Sequence, residues 1–148
     1  MNIMKTLLIA TLLSAGILPA ADVSGTWLGE LSMGFNGDYL RVTQQIAIKL
    51  VQSGNELSGK QYSDYQSAPI IQGKITGDQV DFVIVAQEQQ SNQITESRLH
   101  YIGRLQKDGT IEVTRTRESA TNAGNSGGYD IKAAKATQTF TLRRLPTT

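Results

Sequence analysis

After residue 21 the chain alternates apolar and polar positions in short runs separated by glycine, asparagine and aspartate. A period of two puts alternate side chains on opposite faces of a strand and predicts half-buried β-structure. Eight segments carry it: Val23 to Ser32, Thr43 to Val51, Glu56 to Tyr62, Pro69 to Thr76, Gln79 to Gln87, Ser97 to Gln106, Thr110 to Glu118 and Thr137 to Leu145. No amphipathic helix of three turns is predicted; Asp130 to Ala136, after the glycine-rich run Asn122 to Gly128, has room for one or two turns.

One phase of these segments is apolar throughout and is read as the inward face. It comprises Trp27, Gly29 and Leu31, then Ile46, Ile48 and Leu50, then Ile71, Gly73 and Ile75, then Val80, Phe82 and Ile84. It continues through Leu99, Tyr101, Gly103 and Leu105, then Ile111 and Val113, and ends on Phe140 and Leu142. The opposite phase carries Gln45, Lys49, Asp81, His100, Arg104, Glu112, Thr114, Thr139 and Thr141, a wetted outer surface.

The joins alternate in kind. Ser53-Gly54-Asn55, Gly77-Asp78 and Lys107-Asp108-Gly109 have hairpin-turn chemistry, whereas Met33 to Val42, Ser63 to Ala68, Glu88 to Glu96 and Ser119 to Ala136 are long. Successive joins of an up-and-down meander fall at opposite ends, so one end is closed by tight turns and the other carries the long loops. The expected fold is all-β, an eight-stranded antiparallel up-and-down barrel, which is wide enough to fill with side chains or to hold one small ligand.

The N-terminus changes the picture of where the domain works. One cation (Lys5), an apolar run from Leu7 to Leu18 and the small-residue exit Pro19-Ala20-Ala21 read as a secretory signal over residues 1–21, cut after Ala20 or Ala21. The run is too short to cross a bilayer, and residues 22–148 are expected to form a single exported domain, periplasmic or secreted. Without cysteine there is no disulfide framework and no lipid attachment through a thioether. Removing Lys5 from the fourteen Lys and Arg leaves thirteen against thirteen Asp and Glu, so the remaining chain is formally neutral. Charges alternate in sign along it, and no basic stripe for nucleic acid is present.

Gly25-Thr26-Trp27 resembles the Gly-x-Trp signature of lipocalins and the wider calycin group. With Gly29, Leu57-Ser58-Gly59 and the run Gly73 to Phe82, the pattern is similar to small secreted bacterial lipocalin-like proteins. The resemblance implies a calycin barrel in which a basic residue of the last strand covers the first-strand tryptophan near the closed end. Arg144, in phase with Phe140 and Leu142, occupies that place. Avidins share Gly-x-Trp but line their pocket with several tryptophans; this chain has one, which argues against biotin.

Catalytic chemistry is sparse. Gly124-Asn125-Ser126-Gly127-Gly128 matches a nucleophile-elbow pattern, but an elbow needs a strand-to-helix turn in an α/β sheet, and the single histidine, His100, lies in the outward phase. One histidine without cysteine does not make a usual zinc or copper set, so neither metal nor cofactor is expected. Binding is the stronger expectation. Phe35, Tyr39, Tyr62, Tyr65 and Tyr129 fall on or beside the long joins, where they either meet a ligand at the mouth or pack the loops onto the rim. The inward phase of the seventh segment runs from Val113 into Arg115 and Arg117. Either these guanidiniums line the upper cavity, or the strand leaves the barrel and they reach water or pair with Glu96 or Glu118. The inward glycines Gly29, Gly59, Gly73 and Gly103 either leave room for a ligand or permit barrel corners.

The site expected is therefore Phe82 and Tyr101 below, Arg115 and Arg117 at the rim, and Tyr39, Tyr62 and Tyr65 on the loops, with Trp27 and Arg144 as structural residues. The protein is expected to be a non-catalytic binder of a small apolar or amphipathic molecule at the open end. The rival is an interaction or enzyme-inhibitor module in which the long loops contact a protein and the barrel interior is filled.

Overall fold

A two-residue period buries one face of each strand, and a sheet that buries one face all along can leave no edges only by closing. The computed structural model describes residues 21–34, 41–62, 67–90, 93–122 and 137–147. Strands β1 (Gly25–Gly34), β2 (Arg41–Ser53), β3 (Glu56–Tyr62), β4 (Ser67–Thr76), β5 (Gln79–Gln90), β6 (Gln93–Leu105), β7 (Ile111–Asn122) and β8 (Thr137–Arg144) each pair antiparallel with the next. β8 returns to β1 and the barrel is closed. Among the described residues no helix is long and apolar enough to cross a membrane. Residues 1–20, Phe35, Tyr39, Tyr65, Tyr129, the Gly124 to Gly128 motif and the helical candidate Asp130 to Ala136 lie outside them.

The expected inward phase holds on six of the seven strands to which the alternation assigns one. Trp27, Leu31, Ile46, Ile48, Leu50, Val80, Phe82, Ile84, Leu99, Tyr101, Ile111, Val113, Phe140 and Leu142 are all buried in one cluster. On β4 the expectation fails at one position: Ile71 faces out and Ile70 takes its place inside. The cause is a bulge. β4 carries an extra residue against both β3 and β5, at Gln72, whose φ of 53° is left-handed. One inserted residue reverses the phase of everything before it. Gly73 and Ile75, after the bulge, keep the expected phase, with Ile75 in the core.

Two further boundaries differ from expectation. The join placed over Glu88 to Glu96 is mostly strand, because β5 and β6 stay paired from Gln79↔Arg104 to Gln90↔Gln93 and leave only 91–92 between them. The glutamine-rich run there has no apolar alternation to announce a strand; it is carried by backbone pairing. The first strand begins at Gly25 rather than Val23. Residues 21–24 instead run across the closed end, where the Ala21 N–H donates to the Gly77 carbonyl and the Val23 N–H to Gln52 Oε1 at 2.9 Å. Val23 is fully buried there.

Trp27 stands at the centre of this seal. Its indole is fully buried, Nε1 donates to the Val23 carbonyl at 2.9 Å, and Arg144 Cζ lies 4.7 Å from the ring centroid. Arg144 Nη2 donates in turn to the Asp22 carbonyl at 2.7 Å. The neighbouring wall is equally tight: a Cβ at Gly59, where φ is 134°, would sit 1.8 Å from the Lys49 carbonyl oxygen. No other residue type lets β3 approach β2 so closely.

Replacing Trp27 by Ala removes the largest side chain of the seal and should cost about 3–5 kcal/mol of stability in urea unfolding, whereas Arg144→Met, which keeps the stem, should cost about 0.5–2 kcal/mol. Equal costs would show that the guanidinium, not the indole, holds the end together.

The turns at this end also set an acid limit. The Ser24 backbone N–H and then its hydroxyl, with a lesser contribution from Arg144, hold the Asp22 carboxyl below its ordinary value. The Thr110 hydroxyl and then its backbone N–H do the same for Asp108, with Arg143 contributing less. A depressed carboxyl stabilises the fold above its unfolded pKa, and that contribution disappears as pH falls through the folded value. The double variant Asp22→Asn, Asp108→Asn should therefore lose less of its urea midpoint than the parent between pH 5 and about pH 2; parallel pH profiles would contradict the assignment.

Candidate functional site

Inside the barrel the side chains sort into two layers. The lower is aromatic. Phe82 on β5 and Tyr101 on β6 stack with centroids 4.9 Å apart and an interplanar angle of 13°, and Phe140 on β8 meets Tyr101 edge-on at 6.3 Å. These contacts follow from register, because Phe82 pairs directly with Tyr101 and their side chains share the inward face.

The upper layer is polar. Tyr101 donates its hydroxyl to Gln61 Oε1 on β3, so the ring belongs to one layer and its oxygen to the other. β7 does not leave the barrel at Arg115; it remains paired with β6 as far as Asn122. Arg115, opposite Tyr101 and Gln138, and Arg117, opposite Leu99, are buried, with 4% and 7% of their surface exposed. Of the two routes open from the sequence, the one that sends these guanidiniums to water is overturned. Arg115 donates to the Gln138 side-chain carbonyl. Glu118 is engaged on the other side of the wall, where a bulge opposite Arg98 and Leu99 turns it outward to Arg98 at 3.0 Å and to His100 Nδ1 at 2.9 Å.

Sequence reasoning missed three members of the polar layer: Gln61, Ser97 and Gln138. Each stands two residues from an assigned inward position, at Gly59, Leu99 and Phe140, so strand phase alone would have found them. Tyr62, expected to meet the ligand from the loops, is the next residue after inward Gln61; it is 45% exposed and faces away from Phe82 and Tyr101. Tyr39 and Tyr65 lie outside the described residues. The inward glycines do not leave room for a ligand. The place of a Cβ at Gly59 or Gly73 is taken by neighbouring backbone, and at Gly29 or Gly103 by the side chains of Leu142, Val80 and Ile111.

His100 sits in the outer wall between two carboxylates, with Nε2 2.8 Å from Asp81 and Nδ1 2.9 Å from Glu118. Arg98 extends this cluster to Gln72 Oε1 at 2.8 Å. The cluster lies across β4 to β7 where the bulges at Gln72 and Glu118 interrupt the ladder, and it ties those irregular stretches together. Among the described residues no group of three His, Cys, Asp or Glu is placed to hold a metal ion.

The interior thus offers an apolar floor of stacked rings and, further along the same strands, a polar layer with two guanidiniums. Such an arrangement suits recognition of a molecule that is apolar at one end and anionic at the other. No protein-family model matches the chain, and neither does any curated protein.

Proposed function

We propose that this is an exported, non-catalytic binding protein of lipocalin-like type, which takes a small amphipathic molecule through the open end of its barrel. The reading rests on one observation above all: Arg115 and Arg117 project from a single strand into the barrel, nine-tenths buried, beyond the Phe82–Tyr101 stack. Arg115 is held in place by its bond to the Gln138 side-chain carbonyl. A guanidinium fork matches the two oxygens of a carboxylate or phosphate. The apolar part of such a ligand would lie against Ile84, Leu99 and the rim of the Tyr101 ring, all buried on the same face.

Two features support the class. Gly25-Thr26-Trp27 opens β1, and Arg144 covers Trp27 from the last strand, the arrangement that the resemblance to calycins implies. Export is carried by the N-terminal pattern of Lys5, Leu7 to Leu18 and Pro19-Ala20-Ala21, and the exported form would begin at Ala21 or Asp22.

Titration calorimetry with laurate, a simple anionic amphiphile, tests the reading. The parent protein should bind it, and the double variant Arg115→Met, Arg117→Met should bind at least about tenfold more weakly, since a charge-assisted pair is worth about 1.5–3 kcal/mol. The variant should retain the parent's circular dichroism. Equal affinity in the two proteins would remove the arginines from the site, and no heat with laurate, dodecyl phosphate or dodecanol would remove the interior site.

A further inference from the structure

β7 is held most weakly just beyond the arginines that it carries inward. β8 pairs with it only as far as Thr116↔Thr137, so from Arg117 to Asn122 the strand is paired with β6 alone among the described residues. That remaining ladder is broken by the bulge: Leu99 pairs with Arg117 and Arg98 with Ser119, which leaves Glu118 as the extra residue. A bulged residue has no cross-strand partner of its own. Glu118 is anchored through its side chain instead, where Oε2 accepts from Arg98 Nε at 3.0 Å and Oε1 lies 2.9 Å from His100 Nδ1.

Histidine is the side chain whose charge ordinarily changes near neutral pH, and the chain has one histidine and no cysteine. The His100 ring stands partly buried between carboxylates of two different strands. Nε2 is 2.8 Å from Asp81 Oδ1 on β5, and Nδ1 faces Glu118 on β7. An ionised carboxylate accepts and does not donate, so both contacts are attractive only while both ring nitrogens carry protons. The other charges around the ring are Arg98 on its own strand, which shares Glu118 with it, and Lys74 on β4, which pairs opposite Asp81.

We infer that His100 is a proton-operated latch on the β7 side of the barrel mouth. With both nitrogens protonated the ring bridges Asp81 and Glu118 and holds the bulge against the outer wall. On losing one proton the ring keeps the N–H that faces Asp81, because that contact is a hydrogen bond and its carboxylate is the more buried, 24% exposed against 39% for Glu118. The more buried acceptor is the costlier one to leave unpaired. Nδ1 then turns a lone pair toward the Glu118 oxygen, and attraction becomes repulsion. Glu118 keeps only Arg98, and the bulge loosens together with Ser119 to Asn122 beyond it. Arg117 immediately precedes the bulge, so an anionic ligand held as proposed above would bind more weakly as pH rises. That consequence rests on the proposed site; the latch itself does not.

Amide exchange of the full chain at about pH 6 and about pH 8, corrected for the intrinsic rate at each, tests the latch without any ligand. Protection of the Ser119 to Asn122 amides that bond to β6 should fall about fivefold relative to Val113 on the same strand, the worth of one partly exposed ion pair. Glu118→Gln supplies a donor for the neutral ring, since its amide N–H can reach Nδ1 while its oxygen still accepts from Arg98, so its protection should be the same at both pH values. His100→Gln has no proton to lose and should also be flat. Equal protection of the parent at both pH values overturns the latch, and a fall that persists in either variant overturns its assignment to the His100–Glu118 contact. Laurate titration of the parent at the same two pH values reads the coupling separately: weaker binding at the higher pH supports it, and equal binding beside a latch that opens overturns the coupling alone.

Discussion

Closure of the barrel depends on the packing around Trp27. Its indole is held from below by the Val23 carbonyl, from above by Arg144, and on its own strand by pairing of β1 to both β2 and β8. Among the described residues, the first strand pairs with the last only here. A cysteine-free chain has no covalent means of joining its two ends, so this contact replaces one. Because β1 and β8 pair over Trp27, Leu28 and Gly29 among the described residues, closure is secured at the closed end, and the interior arginines lie above it.

Register accounts for the interior. Once β5 and β6 pair without a slip from Gln79↔Arg104 upward, Phe82 and Tyr101 are obliged to stack, and pairing of β6 with β7 sets Arg115 beside Tyr101. The same pairing carries β5, β6 and β7 well past the ends of β3, β4 and β8. On the opposite side β1 and β2 rise in the same way. Among the described residues the mouth therefore has two tall walls, with lower sides at β3–β4 and at β8. The polar layer of Gln61, Ser97, Arg115, Arg117 and Gln138 sits between these walls rather than at the level of the aromatic stack.

Much of this was legible in the residues. Period-two alternation gave eight strands, the glycine and asparagine turns placed the closed end, and the phase of β7 pointed Arg115 and Arg117 inward while leaving open whether the strand stayed in the barrel. What was not legible has physical reasons. Ile70 and Ile71 are equally apolar, so no pattern shows which faces in; the choice is made by the left-handed Gln72. The run Glu88 to Glu96 is polar on both faces, and its strands are visible only through long-range pairing. Residues 21–24 look like more strand, but their burial comes from crossing the barrel end. The extent of the β1–β8 seam depends on where two strands that are far apart in the chain cease to pair, which no local pattern records.

The central claim is that the seam is sealed beside Trp27 and open above Gly29. Amide hydrogen exchange read residue by residue tests it directly. The account requires slow exchange at Leu28, Glu30 and Leu145 and fast exchange at Ser32, Thr139 and Thr141, while Gly29, Leu31, Phe140 and Leu142, whose N–H groups face β2 or β7, stay protected. Uniform protection along β1 and β8 would mean that the two strands pair to the open end, and would contradict it.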